Sequence, residues 1–146
     1  MSKSDTFEND LMLLLFNNTD IAAIGDAGGV RGSVVAGSLW VSLHTADPGE
    51  TGTAVTSETA YTGYARQALA RSGAGFVVTT NSISPATTLT YPACTAAPGS
   101  TLTHFGIVNT ASGAGKLLYS GTVTANIPMA IGVIPILTTA STVQED

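Results

Sequence analysis

Few side chains in this sequence are equipped for chemistry. The histidines are His44 and His104, the single cysteine is Cys94, and the cations are Lys3, Arg31, Arg66, Arg71 and Lys116. Histidines set beside Asp47, Glu50 or Glu58 would offer a metal site or a general base if their spacing converged. It does not: His44 ends a strand-like run beside an acidic loop, and His104 sits inside another run, which reads as half-buried or surface histidine. A Ser-His-Asp device would need a Gly-x-Ser-x-Gly elbow between a strand and a helix, and the chain has no such motif. Gly113-Ala114-Gly115-Lys116 imitates the end of a phosphate loop, but Thr110 stands where the first glycine belongs and Leu117 replaces the magnesium-holding Ser or Thr. With a strand following, it reads as a tight hairpin turn with Lys116 marking the strand edge.

The richest concentration of varied side chains runs from Gly37 to Gln67. There Ser-Leu-Trp-Val-Ser-Leu-His-Thr meets Asp47-Pro48-Gly49-Glu50, a turn by composition, and then Tyr-Thr-Gly-Tyr-Ala-Arg-Gln. Thr51 to Glu58 extends the turn into a long, acidic, mobile loop, with too few carboxylates at alternating positions for a calcium loop. Arg66 and Arg71 lie an odd number of residues apart, so in a regular strand they point to opposite faces and at least one should meet solvent or a partner. No catalytic residue, metal ligand or cofactor is assigned. The candidate contact residues are Leu11, Leu15, Trp40, Asp47, Glu50, Tyr61, Tyr64 and Arg66.

Composition points to the same class. The chain has 146 residues, enough for a single domain over 1–146 with one core. Charged residues make up 10% and hydrophobic residues 44%, far from the roughly 25% charge of an average soluble domain. So neutral an exterior favours contact with other protein surfaces. A net charge of -5 with scattered cations argues against nucleic-acid binding. One cysteine permits no intrachain disulfide, and its expected role is packing. The apolar run Leu11 to Phe16 follows Asp5, Glu8 and Asp10, unlike a secretory leader, and Met129 to Leu137 is too short to span a membrane and contains Pro135. Synthesis in a cytosol and no membrane partner are expected.

The elements that must carry these residues are mostly strands. Residues 5–17 read as the one helix, started by a capping-box-like Asp5 with Glu8, faced by Phe7, Leu11, Leu14 and Leu15, and stopped by Asn17 and Asn18. That face either covers an end of the strand layers or serves an intermolecular role. Strand candidates are Ser38 to Thr45, Gly63 to Arg71, Gly75 to Thr80, Thr87 to Tyr91, Leu102 to Asn109, Lys116 to Ala125 and Met129 to Thr138. In the first, Leu39, Val41 and Leu43 share a core face against Trp40, Ser42 and His44. The fold class is all-β: a jelly roll or β-sandwich of about seven or eight short antiparallel strands over 38–138 with an N-terminal helix. The tail Ser141 to Asp146 is polar and expected to be loose.

Several segments carry a family likeness: Arg31-Gly32-Ser33, the run Gly37 to Glu50, Ala60-Tyr61-Thr62-Gly63-Tyr64-Ala65-Arg66, Thr103-His104-Phe105-Gly106-Ile107, and Ser112 to Gly121. On these the chain resembles small tailed-phage virion proteins, similar to the cement or decoration protein on the capsid of Bordetella-type short-tailed phages. Related reading frames are often labelled tail fibre proteins. The resemblance implies a jelly-roll homodimer on the outer surface of the capsid, bridging major capsid protein subunits, and brings no catalytic residues. The alternative is a tail or fibre-associated binding module in which Trp40, Tyr61 and Tyr64 stack on host glycans. A third class, a hydrolase or metal enzyme, would centre on His44.

Overall fold

The computed structural model describes residues 2–96 and 100–145. It is mostly β with one N-terminal helix, α1 (Asp5–Asn17). The strands are β1 (Ser38–His44), β2 (Gln67–Ala70), β3 (Phe76–Thr79), β4 (Ser82–Pro85), β5 (Leu89–Thr90), β6 (Thr101–Val108), β7 (Leu117–Pro128), β8 (Ile136–Leu137) and β9 (Val143–Gln144). Among the described residues they form three antiparallel sheets, ordered β2-β1-β6-β7, β3-β4-β9 and β5-β8, consistent with a β-sandwich and with no closed barrel. The chain packs as two units, one built from Met1–Ser38, Leu69–Thr88 and Thr138–Asp146, the other from Leu39–Ala68 and Leu89–Leu137.

In the first unit the helix has the expected span, and its cap lies one residue before the expected box. Ser4 is the N-cap, extended at φ -83 and ψ 149, and its hydroxyl accepts the Phe7 amide at 3.4 Å. Asn18 closes the helix in the left-handed region, φ 57, a conformation Asn tolerates better than most residues. The buried stripe is Glu8, Met12 and Phe16, one position round from the expected Phe7, Leu11, Leu14 and Leu15. Its direction is set by the β3–β4 hairpin, where Phe16 meets Phe76 edge-on with centroids 5.0 Å apart. Phe7 is left 40% exposed, and Leu11, Leu14 and Leu15 are half-buried.

Helix α1 has no basic residue in its last turn, and Arg71 supplies the missing charge from elsewhere in the chain. Its Nε donates to the Leu15 carbonyl and its Nη2 to the Leu14 carbonyl, both at 2.8 Å, while Nη1 reaches Ser33 Oγ and the Ala36 carbonyl. These are orphan carbonyls at the negative end of the helix dipole, the place where a cation is most useful. Of the two arginines of which at least one was expected to meet solvent or a partner, Arg71 thus turns its donors inward.

Nor is the C-terminal tail loose where the structure describes it. Strand β9 pairs with β4, Ser82 opposite Gln144 and Ile83 opposite Val143. The Glu145 amide donates to the Asn81 carbonyl at 2.8 Å, and Lys3 Nζ lies 2.9 Å from the Glu145 carboxylate. Asp146 lies outside the described residues. Polarity had suggested freedom, but a backbone ladder asks nothing of side-chain type.

The second unit is organised by β1, β6 and β7. Strand β1 pairs antiparallel with β6, Ser42 opposite Gly106 and His44 opposite His104. Strand β7 flanks β6 with Gly121 opposite Phe105, and a Cβ on Gly121 would lie 2.8 Å from the Phe105 ring. That glycine lets the ring lie across the sheet. Met129 to Thr138 is assigned as strand only at Ile136–Leu137, yet backbone bonds continue the ribbon beyond it. Tyr91 N–H donates to Pro135, Cys94 N–H to Val133 and Gly132 N–H to Cys94. The expected strand from Gly63 shrinks to Gln67–Ala70 because Tyr61 to Tyr64 closes a turn (Tyr64 N to Tyr61 O, 3.0 Å) with Gly63 at φ 103.

Candidate functional site

The polar centre of the second unit lies where a loop folds back over β1. Residues 57–59 run beside the end of that strand: Thr45 N–H donates to the Ser57 carbonyl at 2.8 Å and Thr59 N–H to the Leu43 carbonyl at 2.9 Å. The face of β1 that alternation assigned away from the core is therefore covered too. Ser42 and His44 are both fully buried. His44 Nδ1 lies 2.8 Å from the Thr56 carbonyl, which can only accept, so Nδ1 carries the proton. Nε2 then accepts from the Ser42 hydroxyl at 2.8 Å. Burial holds the imidazole below its ordinary pKa, so it stays neutral.

Arg66 fastens this loop to its neighbours. Its Nε and Nη2 engage the two Glu58 oxygens at 2.6 and 2.7 Å, a bidentate pair whose side chains are 2% and 14% exposed. The remaining donors reach the carbonyls of Ala54 (3.3 Å), Thr110 (3.0 Å) and Gly113 (3.0 Å), with Thr110 Oγ1 also at 3.0 Å. One guanidinium thus ties the 54–58 loop to the β6–β7 turn. The Glu58 bonds hold Arg66 above its ordinary pKa.

Three tyrosines continue the cluster inward. Tyr64 Oη accepts the Leu43 amide at 3.0 Å and donates to Glu58 Oε1 at 2.9 Å. Tyr61 Oη donates to the Pro92 carbonyl at 2.9 Å, and Tyr91 Oη to the Val41 carbonyl at 3.2 Å. The Tyr64 ring meets Tyr61 edge-on at 5.4 Å and stacks on Tyr91 at 6.4 Å. Burial raises all three phenols, Tyr61 to about 12, with Cys94 adding to the shift there. Above the cluster lies an open hollow of about 390 Å³, walled by Ala60, Ala65, Ala111, Ser112 and Gly113. Thr59 Oγ1 is buried at its edge with no hydrogen-bond partner among the described residues.

Of the eight candidate residues, Tyr61, Tyr64 and Arg66 meet in this cluster. Asp47 and Glu50 line a second hollow, of about 340 Å³, with Leu117 to Ser120, and both carboxylates are exposed. Their turn is the expected one: the Gly49 amide donates to Asp47 Oδ1 at 2.9 Å, and Gly49 sits at φ 67. Trp40 is half-buried on β1 opposite Val108, while Leu11 and Leu15 belong to α1 in the other unit. With Tyr61 only 2% exposed, the Tyr61–Tyr64 pair supports the fold from inside and offers no open stacking platform. The 51–58 segment is pinned by Arg66, His44 and the bond from the Ala54 amide to the Gly115 carbonyl (3.0 Å), so it is a tethered cover for β1. Lys116 sits at the hairpin closure, its amide held by Asn109 Oδ1 at 2.7 Å, as expected of a turn.

Sequence reasoning missed Glu58 as the partner of Arg66 and Thr110 as its second acceptor. The two acceptor loops are far apart along the chain, and no spacing rule connects them. Among the described residues no three His, Cys, Asp or Glu side chains gather as metal ligands, and no helix is long and apolar enough to cross a membrane.

A cation whose donors are all directed at loops of its own unit is an internal staple and no catalytic group. The family model described as Podophage GP4 fiber I protein gp80 matches residues 2–143, and the chain belongs to that family. It is a family of phage structural, fibre-related proteins. No curated protein matches the chain.

Proposed function

We propose that this protein is a structural module of the podophage tail-fibre apparatus, working by burying interface against other virion proteins. The match to a fibre family along residues 2–143 carries this reading. The site geometry supports it: Arg66, Glu58 and Tyr64 spend their hydrogen bonds inside the unit, and the hollow beside them is walled by the small residues Ala60, Ala65, Ala111, Ser112 and Gly113. Binding of that kind stabilises an assembly by mass action, without chemistry.

Capsid decoration, with the major capsid protein as partner, is the second reading. The phage-like segment Leu43-His44-Thr45-Ala46-Asp47-Pro48-Gly49 and the low charge favour it, and Asp47 and Glu50 on their exposed turn are then the contact residues on the shell. Quantifying copies per purified virion and locating them by gold-labelled antibody separates the two. About a dozen or fewer copies at the tail support the fibre reading. Several hundred copies spread over the shell overturn it in favour of decoration. Glycan binding belongs to the fibre reading only through Trp40, since the tyrosines are committed to the interior.

A further inference from the structure

The four-stranded sheet ends on an open strand. Strand β7 closes the order β2-β1-β6-β7, and among the described residues its one neighbour is β6. Which of its backbone groups face the empty side follows from the other strands, because N–H and C=O reverse direction at each residue. On β1 the Leu43 amide donates to Tyr64 Oη and the Leu43 carbonyl accepts from the Thr59 amide, so both point away from β6. Phe105, opposite Leu43, therefore turns its own N–H and C=O toward β7, where Gly121 faces it. One residue to either side, Ser120 and Thr122 turn theirs outward. Both residues are exposed, and neither has a backbone partner on that side among the described residues. No charged residue and no proline guards the stretch from Leu117 to Ile127.

An unfilled row of backbone donors and acceptors fits one class of partner, an extended polypeptide that adds a strand. The side chains beside the row say which kind. Ser120 lies opposite Gly106, which lies opposite Ser42, on the face that the loop after β1 covers. On that face Ser120 lines the hollow of about 340 Å³ whose other wall is the turn from Asp47 to Gly52. Residues paired across a sheet share a face, so the residue that pairs with Ser120 sends its side chain into this hollow. Asp47 and Glu50 wait there, exposed, and neither forms an ion pair among the described residues. We propose that the free edge of β7 takes up an extended segment of another protein as a further strand, with a Lys or Arg of that segment paired with Ser120 and its head group set against the Asp47 and Glu50 carboxylates. Backbone bonds supply the affinity, and the basic side chain fixes the register. A second copy offering its own β7 would bring no cation, since Leu117 to Pro128 carries none.

The edge stands open whether the chain serves at the tail or on the shell, so the test uses no virion protein. The full chain is panned against displayed random peptides of about ten residues, a generous strand length, and synthetic copies of the enriched peptides are measured by calorimetry and amide exchange. Enriched peptides should carry Lys or Arg within a run of β-branched residues. Their binding should slow exchange at the Ser120 and Thr122 amides, which exchange fast in the free chain, and leave Tyr119 and Gly121 unchanged. Asp47→Asn with Glu50→Gln should weaken binding by about tenfold or more and flatten its salt dependence. Thr122→Pro removes an outward N–H that holds nothing in the free chain, so it should abolish binding with the melting temperature little changed. Failure to enrich any peptide overturns the inference, as do enriched peptides without a basic residue or binding that leaves both amides exchanging fast. Protection of Ser120 and Thr122 in the free chain that grows with its concentration overturns it in favour of a second copy.

Discussion

Removing the Arg66 side chain should be among the most damaging single changes in the second unit. In Arg66→Ala the Glu58 carboxylate keeps only the Tyr64 hydroxyl, and three carbonyls on two loops lose their donor. The pair is nearly closed to solvent, 2% and 14% exposed, so it belongs with buried pairs, whose one-sided removal costs about 3–5 kcal/mol. The open hollow beside Ala111 to Gly113 lets water reach part of the gap, which places the expected loss near 4 kcal/mol. That is a large share of the roughly 5–15 kcal/mol that holds a domain folded, and it corresponds to a melting temperature lower by roughly 10 °C. Arg66→Lys keeps the charge but loses the fork and should cost about half as much. In Arg66→Met with Glu58→Leu neither charge is left unpaired, so the double variant should recover at least half the loss. Urea unfolding followed by the fluorescence of the single tryptophan, Trp40, measures all four proteins. A loss under 1 kcal/mol for Arg66→Ala would falsify the staple, and so would a double variant as unstable as the single one.

Protonation of His44 should destabilise the fold. Its folded pKa lies below the unfolded 6.5, so its contribution is complete above about pH 6.5 and declines as pH falls toward the depressed value, by up to about 1.4 kcal/mol per pH unit. Melting temperatures between pH 7.5 and 5 should drop for wild type, and His44→Gln should flatten that slope; equal slopes would show that another group is responsible. Gly106→Ala should cost about 1–3 kcal/mol, because its Cβ would sit 2.8 Å from His44 Nε2, Leu117 Cδ1 and Ser42 Oγ, and chemical denaturation showing no loss would mean the sheet can open there. Thr59→Val removes an unpartnered buried hydroxyl and should stabilise by about 1 kcal/mol; a lower midpoint in urea would mean that hydroxyl has a partner in solution. Arg71→Met should fray the end of α1 and cost about 2 kcal/mol, visible as faster amide exchange at Asn17 and Asn18 than in wild type.

The parts legible in the sequence were those governed by neighbours along the chain. Residues 5–17 announced a helix, Leu39, Val41 and Leu43 announced a strand face, and Asp47-Pro48-Gly49 announced its turn. What escaped depended on distant segments. The buried stripe of α1 was chosen by Phe76, so a helix apolar on several sides gave no way to pick Met12 and Phe16 over Leu11 and Leu15. Ser42 and His44 looked solvent-facing because the loop that buries them arrives more than ten residues later. Arg66 read as a contact residue, and at least one of Arg66 and Arg71 as meeting solvent or a partner, because an arginine carries no mark of whether its acceptors are a partner's or its own chain's carbonyls. Strand β9 has two residues of ordinary composition, and nothing short of its pairing with β4 reveals it.

Both described ends of the chain belong to the first unit, where β9 joins the sheet and Lys3 meets Glu145 at 2.9 Å. The polypeptide leaves that unit and returns to it twice, so no single cleavage can release either unit as a continuous fragment. A circular permutant becomes feasible for the same reason. A short linker joining the two ends, with new termini opened at the exposed Asp47–Glu50 turn, would keep every strand pairing while moving the attachment point for any fused cargo to the other unit.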